Sequence, residues 1–450
     1  MKKDKIPNQD RIDELASRMT AYEDQFFRDL TQLLEIPSSN GPATPTAPYG
    51  KATADALDLF LGMADRMGFR TKNLDYHAGY AEFGQGEKLL AVLCHLDVVP
   101  AGEGWQADPF KVRFEDGVIY ARGVADDKGP AMTVLYAMKS LLDQGFEPDC
   151  RIRLVVGLNE EQGFGCMKHY VQIEELPDAG FTADAYFPVV FAEKGIMRIS
   201  FRADRKITGR GLELLKLDGG EAVNMVAQVC RYQLSLDGKP QDMVEVQGKS
   251  SHASRPELGD NAIVKALKQI CKSYPEWQDP LACFTRDYLG QYMDGTDFAI
   301  ACSDSSGALS LNLGLAKADL DSDQLVFDIR YPVTKSGQDI ADKLTESMAK
   351  IGFKLEDVEI NQPLDLGKNS DLVKTLMDVY NESMGVEAEA MAIGGGTYAR
   401  AMPNIAAFGA VFPGTPDCMH QVDEHAKLSD LMAACYIYRE SLKALAQNLS

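Results

Sequence analysis

Imidazole and carboxylate side chains follow short apolar runs of this chain. His95 and Asp97 close a run that begins at Leu89, and Glu160 and Glu161 close another. Chemistry in an open α/β sheet sits at the carboxyl ends of the strands. Because residues two apart on a strand point the same way, His95 and Asp97 are predicted to face one site. Two buried glutamates are costly unless a cation offsets their charge, so a metal site is the natural expectation.

Other positions carry the same side-chain types. Asp126 and Asp127 are adjacent at the start of a predicted helix, Asp184 lies beside an apolar run, and His420 lies in a polar loop. Capping of a helix by an aspartate is the ordinary alternative for the adjacent pair. Adjacent side chains point apart, so only one of Asp126 and Asp127 can easily face the site, and the residues alone leave that choice open.

These side chains form a mixed nitrogen and oxygen ligand set. Such a set suits Zn²⁺, with Mn²⁺ or Co²⁺ as alternatives. With one shared carboxylate it suits two metal ions about 3.5–4 Å apart, the arrangement that activates a water molecule. The remaining acids, Asp97 and one of the two glutamates, are then available to orient a ligand and to act as a general base.

The elements that position these residues alternate between strands and helices. Apolar patterns predict strands near 69–75, 79–84 and 89–95 and helices over 11–35, 52–67, 131–142 and 370–383. The segment 193–366 changes character and is predicted to be an inserted α/β unit, with helices over 221–236 and 261–271. The predicted domains are therefore 1–192, 193–366 and 367–450, where the first and last form one α/β domain.

The inserted unit carries polar residues that could contact a substrate. His252 lies in a polar loop between a strand and a helix, Asn224 at a predicted helix start, and Arg330 at a strand end. Gly394–Gly396 lets the backbone approach a ligand closely. It lacks the spacing of a dinucleotide-binding or phosphate-binding loop, so a nucleotide-binding enzyme is not expected.

Composition excludes several classes of protein. The 450 residues suggest two or three domains, and 45% hydrophobic and 25% charged residues are typical of a soluble globular protein. The net charge of −21 argues against nucleic acid or an anionic membrane as a partner. The chain has nine cysteines without a CxxC pair, no apolar region behind its basic N-terminus and no run near the ~18 residues of a membrane span. These features predict a cytoplasmic protein without a signal peptide.

Several motifs occur in the order of a known family. They are His95-Leu-Asp97, Ala125-Asp126-Asp127-Lys-Gly, Asn159-Glu160-Glu161, Asp184, Ser251-His252-Ala-Ser and Met419-His420, together with Cys94–Trp105, Ala192-Glu-Lys-Gly195-Ile, Ile329-Arg330-Tyr-Pro and Gly394-Gly-Gly-Thr-Tyr-Ala-Arg400. In this respect the chain resembles the co-catalytic zinc metallopeptidases, which include carnosinases, aminoacylases and carboxypeptidase G. Within that family it is most similar to the PepV-type bacterial dipeptidases, and the likeness spans nearly the whole chain.

The resemblance implies a fold, a cofactor and roles for individual residues. The fold would be a zinc-exopeptidase-like α/β/α catalytic domain with an inserted α/β lid, holding two Zn²⁺ ions per subunit. One ion would be held by His95, Asp126 and Asp184, and the other by Asp126, Glu161 and His420. Asp97 would orient His95, Glu160 would be the general base, and the lid would bring His252 to the oxyanion. The implied substrate-binding residues are Asn224, Arg330, Gly395 and Thr397.

The function implied is hydrolysis of dipeptides that have a free C-terminal carboxylate, by a metallo-dipeptidase that works as a monomer on small peptides. Arg330 suits such a substrate because its planar fork meets a carboxylate with two hydrogen bonds. Two alternatives remain. The same dinuclear centre could remove the acyl group of an N-acyl amino acid. A binding module without catalysis would have no need of Glu160 and Asp97, so it is less well supported.

Overall fold

The computed structural model describes residues 9–290, 294–416 and 418–449, so the N-terminal residues behind the targeting prediction lie largely outside it. The described helices are α1 (Gln9–Ser17), α2 (Thr20–Leu34), α3 (Lys51–Arg66), α4 (Lys128–Asp143), α5 (Gly165–Ile173), α6 (Ala262–Ser273), α7 (Pro280–Tyr288), α8 (Gly337–Ala349), α9 (Asp371–Met384) and α10 (Leu428–Asn448). Short 3₁₀ turns occur at Pro256–Leu258 and Tyr398–Ala401. None of these helices is both long enough and apolar enough to cross a bilayer.

Strands account for most of the remaining regular structure. They are β1 (Arg70–Leu74), β2 (Ala78–Gly84), β3 (Leu89–His95), β4 (Arg113–Glu115), β5 (Val118–Tyr120), β6 (Arg151–Gly157), β7 (Ala179–Thr182), β8 (Ala185–Tyr186), β9 (Val189–Glu193), β10 (Gly195–Asp204), β11 (Leu212–Gly219), β12 (Val229–Leu236), β13 (Lys239–Pro240), β14 (Val244–Gln247), β15 (Ser303–Asp304), β16 (Gly307–Ala308), β17 (Ser310–Ala318), β18 (Ser322–Tyr331), β19 (Lys354–Asn361), β20 (Leu364–Asp365), β21 (Met391–Ile393), β22 (Ile405–Phe408), β23 (Ala410–Val411) and β24 (His425–Lys427). The predicted α/β class is confirmed.

The chain forms two compact units. The first comprises the described parts of Met1–Phe191, Leu366–Met391 and Thr397–Ser450. The second comprises Ala192–Asp365 and Ala392–Gly396, so the whole triple glycine, Gly394–Gly396, belongs with the inserted segment. The domain bounds predicted from the sequence, 1–192, 193–366 and 367–450, lie within a few residues of these main divisions. They stay a prediction.

The first unit is built on a sheet with a parallel centre. Its strands follow the order β1-β2-β6-β3-β7-β22-β9. Strand β3 is parallel to both of its neighbours, and β22 is parallel to β7. Every residue of β3 is buried, as expected for a strand covered on both faces. Helices α4 and α10 pack together, and both contact β3. This arrangement fixes the carboxyl ends of three adjacent strands at one edge.

The second unit has a different construction. Its main sheet is antiparallel, in the order β13-β12-β11-β17-β18-β10-β19. Side chains of β10 such as Phe201 are buried, whereas Arg198 and Arg202 are exposed, so one face carries the core. The apolar core includes residues of α6, α7 and α8. A sheet with one buried face explains the alternating pattern of this region.

Some local predictions were wrong. The helix predicted over 221–236 is a loop followed by strand β12, in which Cys230, Tyr232 and Leu234 are buried and Arg231 is exposed. Alternation with period two decides in favour of a strand, because the buried side of β12 faces the core of an antiparallel sheet. The helix predicted over 11–35 is two helices, α1 and α2, and α7 was missed.

Candidate metal centre

Three parallel strands end at the same edge of the first unit's sheet. His95 is the last residue of β3 and lies opposite Gly157 of β6, and Leu93 lies opposite Thr182 of β7. The segment with Glu160 and Glu161 follows β6, and Asp184 follows β7. Strand register therefore brings these acids to the histidine, as the sequence predicted from the carboxyl-end rule.

The ring of His95 is fixed in one orientation. The ring is fully buried, and its Nδ1 donates to the main-chain oxygen of Asp97 at 2.9 Å. A carbonyl oxygen can only accept, so Nδ1 carries the hydrogen. Nε2 is left facing Asp126 Oδ1 at 3.0 Å and Asp184 Oδ2 at 3.8 Å. This tautomer presents Nε2 as the ligand atom for a metal.

The structure distinguishes the two adjacent aspartates. Asp126 lies between two imidazoles, with Oδ1 at 3.0 Å from His95 Nε2 and Oδ2 at 2.8 Å from His420 Nε2. Asp127 instead accepts the main-chain N–H of His95 at 2.9 Å, and its side chain makes no capping bond to α4. Asp126 therefore lies between two potential ligand histidines, and its role as the shared carboxylate stays a prediction.

Further carboxylates complete two groups of ligand atoms. His420 Nε2 lies 3.1 Å from Glu161 Oε2. Ligand atoms of His95, Asp126 and Glu161 lie within 4.8 Å of one another, as do those of His95, Glu160 and Asp184. The structure therefore brings all the predicted ligands together, and it brings the predicted base Glu160 among them.

The donor set fits divalent cations. Glu161 Oε1 is buried and has no hydrogen-bond partner among the described residues. Burial, followed by the charge of Asp126, raises the pKa of Asp184 to about 7. Burial likewise raises the pKa of Glu160 well above its usual range. Clustered carboxylates with an unsatisfied oxygen are what a bound cation relieves.

The surrounding carboxylates raise the pKa of both histidines. Hydrogen bonds to Asp126 and Glu161 raise the pKa of His420 to about 10. Burial acts to lower the pKa of His95, but its interactions with Asp126 and Asp97 outweigh burial and raise it. Burial would also raise the pKa of Asp126, yet hydrogen bonds from the two imidazoles hold it well below its usual range. These directions indicate that the carboxylates favour a positive charge between them, which either a proton or a metal ion can supply.

Asp97 has a wider role than orienting one ring. Its carboxylate lies 3.5 Å from His95 Nδ1, farther than its own main-chain oxygen. The same carboxylate accepts the main-chain N–H groups of Glu160 at 3.1 Å and Glu161 at 3.3 Å. Asn40, which the sequence reading missed, donates to Asp97 at 3.3 Å and to the main chain of Leu158 at 3.0 Å. Asp97 therefore holds the glutamate loop against the end of β3.

Within the second unit, His252 has a defined hydrogen-bonding state. The main-chain N–H of Ser254 donates to His252 Nδ1 at 3.3 Å, and the hydroxyl of Ser254 lies 2.7 Å from the same atom. Nδ1 is thus an acceptor, and Nε2 carries the hydrogen. Burial, followed by the charge of Arg330, lowers the pKa of His252. A neutral ring with an Nε2–H group is suited to donate to an oxygen of a substrate.

Arg330 is held in place by a neighbour on its own strand. Its Nε and Nη2 donate to the two carboxylate oxygens of Asp328, at 2.6 and 3.0 Å, and Nη1 donates to the main-chain oxygen of Gly394 at 3.1 Å. A guanidinium has five N–H donors, so two remain for a ligand. The signal for Asp328 was present in the sequence, because residues two apart on a strand share a face.

The other predicted substrate residues occupy varied positions. Asn224 lies in a loop rather than at a helix start, and Asn312 fixes that loop by donating to the main chain of Val223 at 3.1 Å and Met225 at 2.9 Å. A Cβ added at Gly395 would meet open space. The hydroxyl of Thr397 accepts the N–H of Ala399 at 3.2 Å. The substrate-binding roles of these residues stay predictions.

The segment after His420 is held by a short strand. His425 begins strand β24 and pairs with Tyr120 of β5. The neighbouring Glu424 was missed altogether, although it is fully buried. The available signal was an acid four residues after the candidate ligand His420, but acids are too common for this spacing to identify it.

Comparison with known proteins identifies the family. Residues 91–444 match Peptidase family M20/M25/M40. The chain belongs to this peptidase family. This M20 peptidase is 34% identical over 462 residues to the putative dipeptidase YtjP of Bacillus subtilis. The alignment covers 94% of this chain and 98% of the relative. The prediction of a hydrolytic, metal-dependent peptidase is confirmed at this level.

Solved structures share the fold of the M20 peptidase. Human carnosine dipeptidase 1 matches with a TM-score of 0.61 at 12% identity, covering 98% of this chain and 100% of that one. The Bacillus subtilis YxeP protein, described as a dinuclear metal binding peptidase of the M20 family, matches with a TM-score of 0.56 at 10% identity, covering 96% and 100%. These likenesses confirm the predicted zinc-exopeptidase-like fold with an inserted lid.

Proposed function

We propose that this M20 peptidase hydrolyses dipeptides that carry a free C-terminal carboxylate. The observation that carries the proposal is the position of Asp126 between the imidazoles of His95 and His420, with Glu161 and Asp184 beside them. The similarity to putative dipeptidases along almost the whole chain supports dipeptides as the substrate class.

The proposed cofactor is a pair of Zn²⁺ ions, with Mn²⁺ or Co²⁺ as alternatives. His95, Asp126 and Asp184 would hold one ion, and Asp126, Glu161 and His420 the other. Such ions polarise a carbonyl oxygen and lower the pKa of water. A donor set of two imidazoles and several carboxylates matches the ligand preferences of these metals.

Glu160 is proposed as the general base. It would take a proton from the attacking water and return that proton to the nitrogen of the leaving amine. Burial raises the pKa of Glu160, which suits a carboxyl that must hold a proton between two steps. Its main-chain N–H donates to Asp97 at 3.1 Å, so its loop is fixed relative to the strand end.

Two residues of the second unit are proposed to contact the substrate. Arg330 would bind the terminal carboxylate through the two N–H groups that Asp328 and Gly394 leave available. His252 would donate from Nε2 to the oxygen of the scissile carbonyl, where negative charge develops. Neither role requires His252 to change its protonation state.

A substrate panel tests the proposal. The purified chain would be assayed, with and without a chelator, against dipeptides, the same dipeptides as C-terminal amides, and N-acetyl amino acids. We expect chelator-sensitive hydrolysis of the free dipeptides and little turnover of the amides. Preference for N-acetyl amino acids would instead establish a deacylase. Equal rates on dipeptides and their amides would refute the proposed recognition of the carboxylate.

The cellular location is also a proposal. None of the nine cysteines forms a disulfide, which is what a reducing cytoplasm maintains. Fractionation of cells that express the native chain would test it. The monomeric state stays a prediction.

A further inference from the structure

A buried carboxylate outside the proposed ligand set lies beside Asp126. Glu424 is fully buried, and its two oxygens accept four hydrogen bonds. Oε2 accepts from Arg122 Nη1 at 2.7 Å and from the N–H of Gly123 at 3.0 Å. Oε1 accepts from the N–H of Ala125 at 2.8 Å and from that of Asp126 at 3.2 Å. One side chain therefore gathers the backbone that leads into Asp126.

The same residue belongs to the segment that carries His420. The main-chain oxygen of Glu424 accepts the N–H of Ala121 at 3.1 Å, and the next residue begins β24, which pairs with β5. Two stretches of chain, distant in sequence, are thus joined side by side. Each delivers a side chain to the contact between Asp126 and His420, which is 2.8 Å long.

The contact of Glu424 with the loop before Asp126 requires a carboxylate. A carboxylate can accept four hydrogen bonds, whereas an amide of the same size has one accepting oxygen and a donating NH₂ group. In either orientation, the NH₂ group of a glutamine at position 424 would face two of these four donors and could accept from neither. Arg122 is buried and offsets the charge of Glu424, and it also lies over the ring of Trp105, with its guanidinium carbon 5.1 Å from the ring centre. The pair is thus built as a neutral unit.

We infer that Glu424, supported by Arg122, is a positioning residue that sets the spacing of Asp126 and His420 for the second metal position. The inference rests on the proposed function in that it takes those two residues as ligands. Residues that hold metal ligands in place typically change metal affinity or activity about 10–100-fold when they are replaced. Replacing one member of a buried ion pair that serves only stability would leave metal affinity unchanged. Buried ion pairs are, moreover, weak sources of stability.

The test is Glu424→Gln, with Glu82→Gln as a matched control. Glu82 is also buried in the first unit and pairs with Arg153 at 2.6 Å, away from the proposed ligands. Two properties would be measured on protein stripped of metal: hydrogen exchange of the peptide that spans 121–127, and the affinity for added Co²⁺ followed by its visible absorption. Thermal unfolding of the metal-free variants would report on the fold.

We expect Glu424→Gln to speed exchange at Gly123, Ala125 and Asp126 and to weaken one of two Co²⁺ sites about 10–100-fold. Glu82→Gln should alter neither property, even if it lowers the unfolding temperature by as much. A folded Glu424→Gln protein with wild-type Co²⁺ affinities would overturn the inference. If that variant does not fold, Glu424→Asp decides. It retains the charge but has a shorter reach, so weaker binding supports the inference and unchanged binding overturns it.

This experiment is separable from the test of function, because no substrate is present. A wild-type chain that binds two Co²⁺ ions but cleaves no dipeptide would refute the proposed function and leave the role of Glu424 intact. If His420→Ala binds Co²⁺ as tightly as the wild-type chain, His420 is not a ligand. The second metal position would then be wrong, and the inference would fail with it.

Discussion

Replacement of Glu160 by Gln separates a general base from a metal ligand. The distinction matters because ligand atoms of Glu160 lie within 4.8 Å of those of His95 and Asp184. Glutamine keeps the size of the side chain and one accepting oxygen, but it cannot take a proton from water. General-base catalysis contributes about 10²–10⁴-fold to a rate. At about 1.4 kcal/mol for each tenfold change, the barrier should rise by about 3–5 kcal/mol.

The assay has two parts, dipeptide turnover and metal content of the purified protein. We expect Glu160→Gln to lose turnover by that factor, to keep its KM nearly unchanged, and to retain two metal ions per chain. Glu174→Gln is the control, because Glu174 is a little-exposed acid that pairs with Lys72 and Arg153 instead. Loss of one metal ion together with the activity would show that Glu160 is a ligand. Retention of more than about a tenth of wild-type turnover would refute the base assignment.

Two further predictions concern the second unit. Arg330→Lys removes the planar guanidinium that Asp328 orients. We expect kcat/KM for a free dipeptide to fall about 10–100-fold, the equivalent of one charged hydrogen bond, while the slow cleavage of a dipeptide amide stays unchanged. An equal loss on both substrates would contradict the role of Arg330. Burial raises the pKa of Asp323 from 3.8 to about 7 beside Arg205, so the folded state binds the proton more tightly and stability falls as pH rises through this interval. Between pH 5 and pH 8, ionisation of Asp323 should lower the free energy of unfolding by up to about 3 kcal/mol. Urea unfolding of Asp323→Asn should not show this decrease. Parallel pH profiles of the two proteins would contradict the prediction.

The clustering of residues in the candidate metal centre could largely be predicted, because functional side chains are concentrated at strand ends. His95, Glu160, Glu161 and Asp184 follow apolar runs, and parallel register makes runs of this kind end at one edge. The choice of Asp126 over Asp127 was different. It depends on which neighbour faces His420, and no local pattern records that contact.

Residues that support others were largely invisible in the sequence. Glu424 contacts a loop some 300 residues earlier in the chain, and Asn40 reaches Asp97 from a loop before α3. Their side-chain types are common on surfaces, so only the folded contacts mark them. The wrong helix over 221–236 has a related cause. Its apolar residues satisfy both helical and strand spacing over a short window, and pairing with β11 decides the outcome.

The late position of His420 has a consequence for synthesis of the chain. His95, Asp126, Glu160, Glu161 and Asp184 are all made in the first half, whereas His420 and the strand that anchors its loop to β5 are made near the end. Until then Asp126 can meet only one imidazole, so a partly translated or C-terminally truncated chain has an incomplete centre. Under the proposed function, hydrolysis therefore requires synthesis to have reached the segment that carries His420.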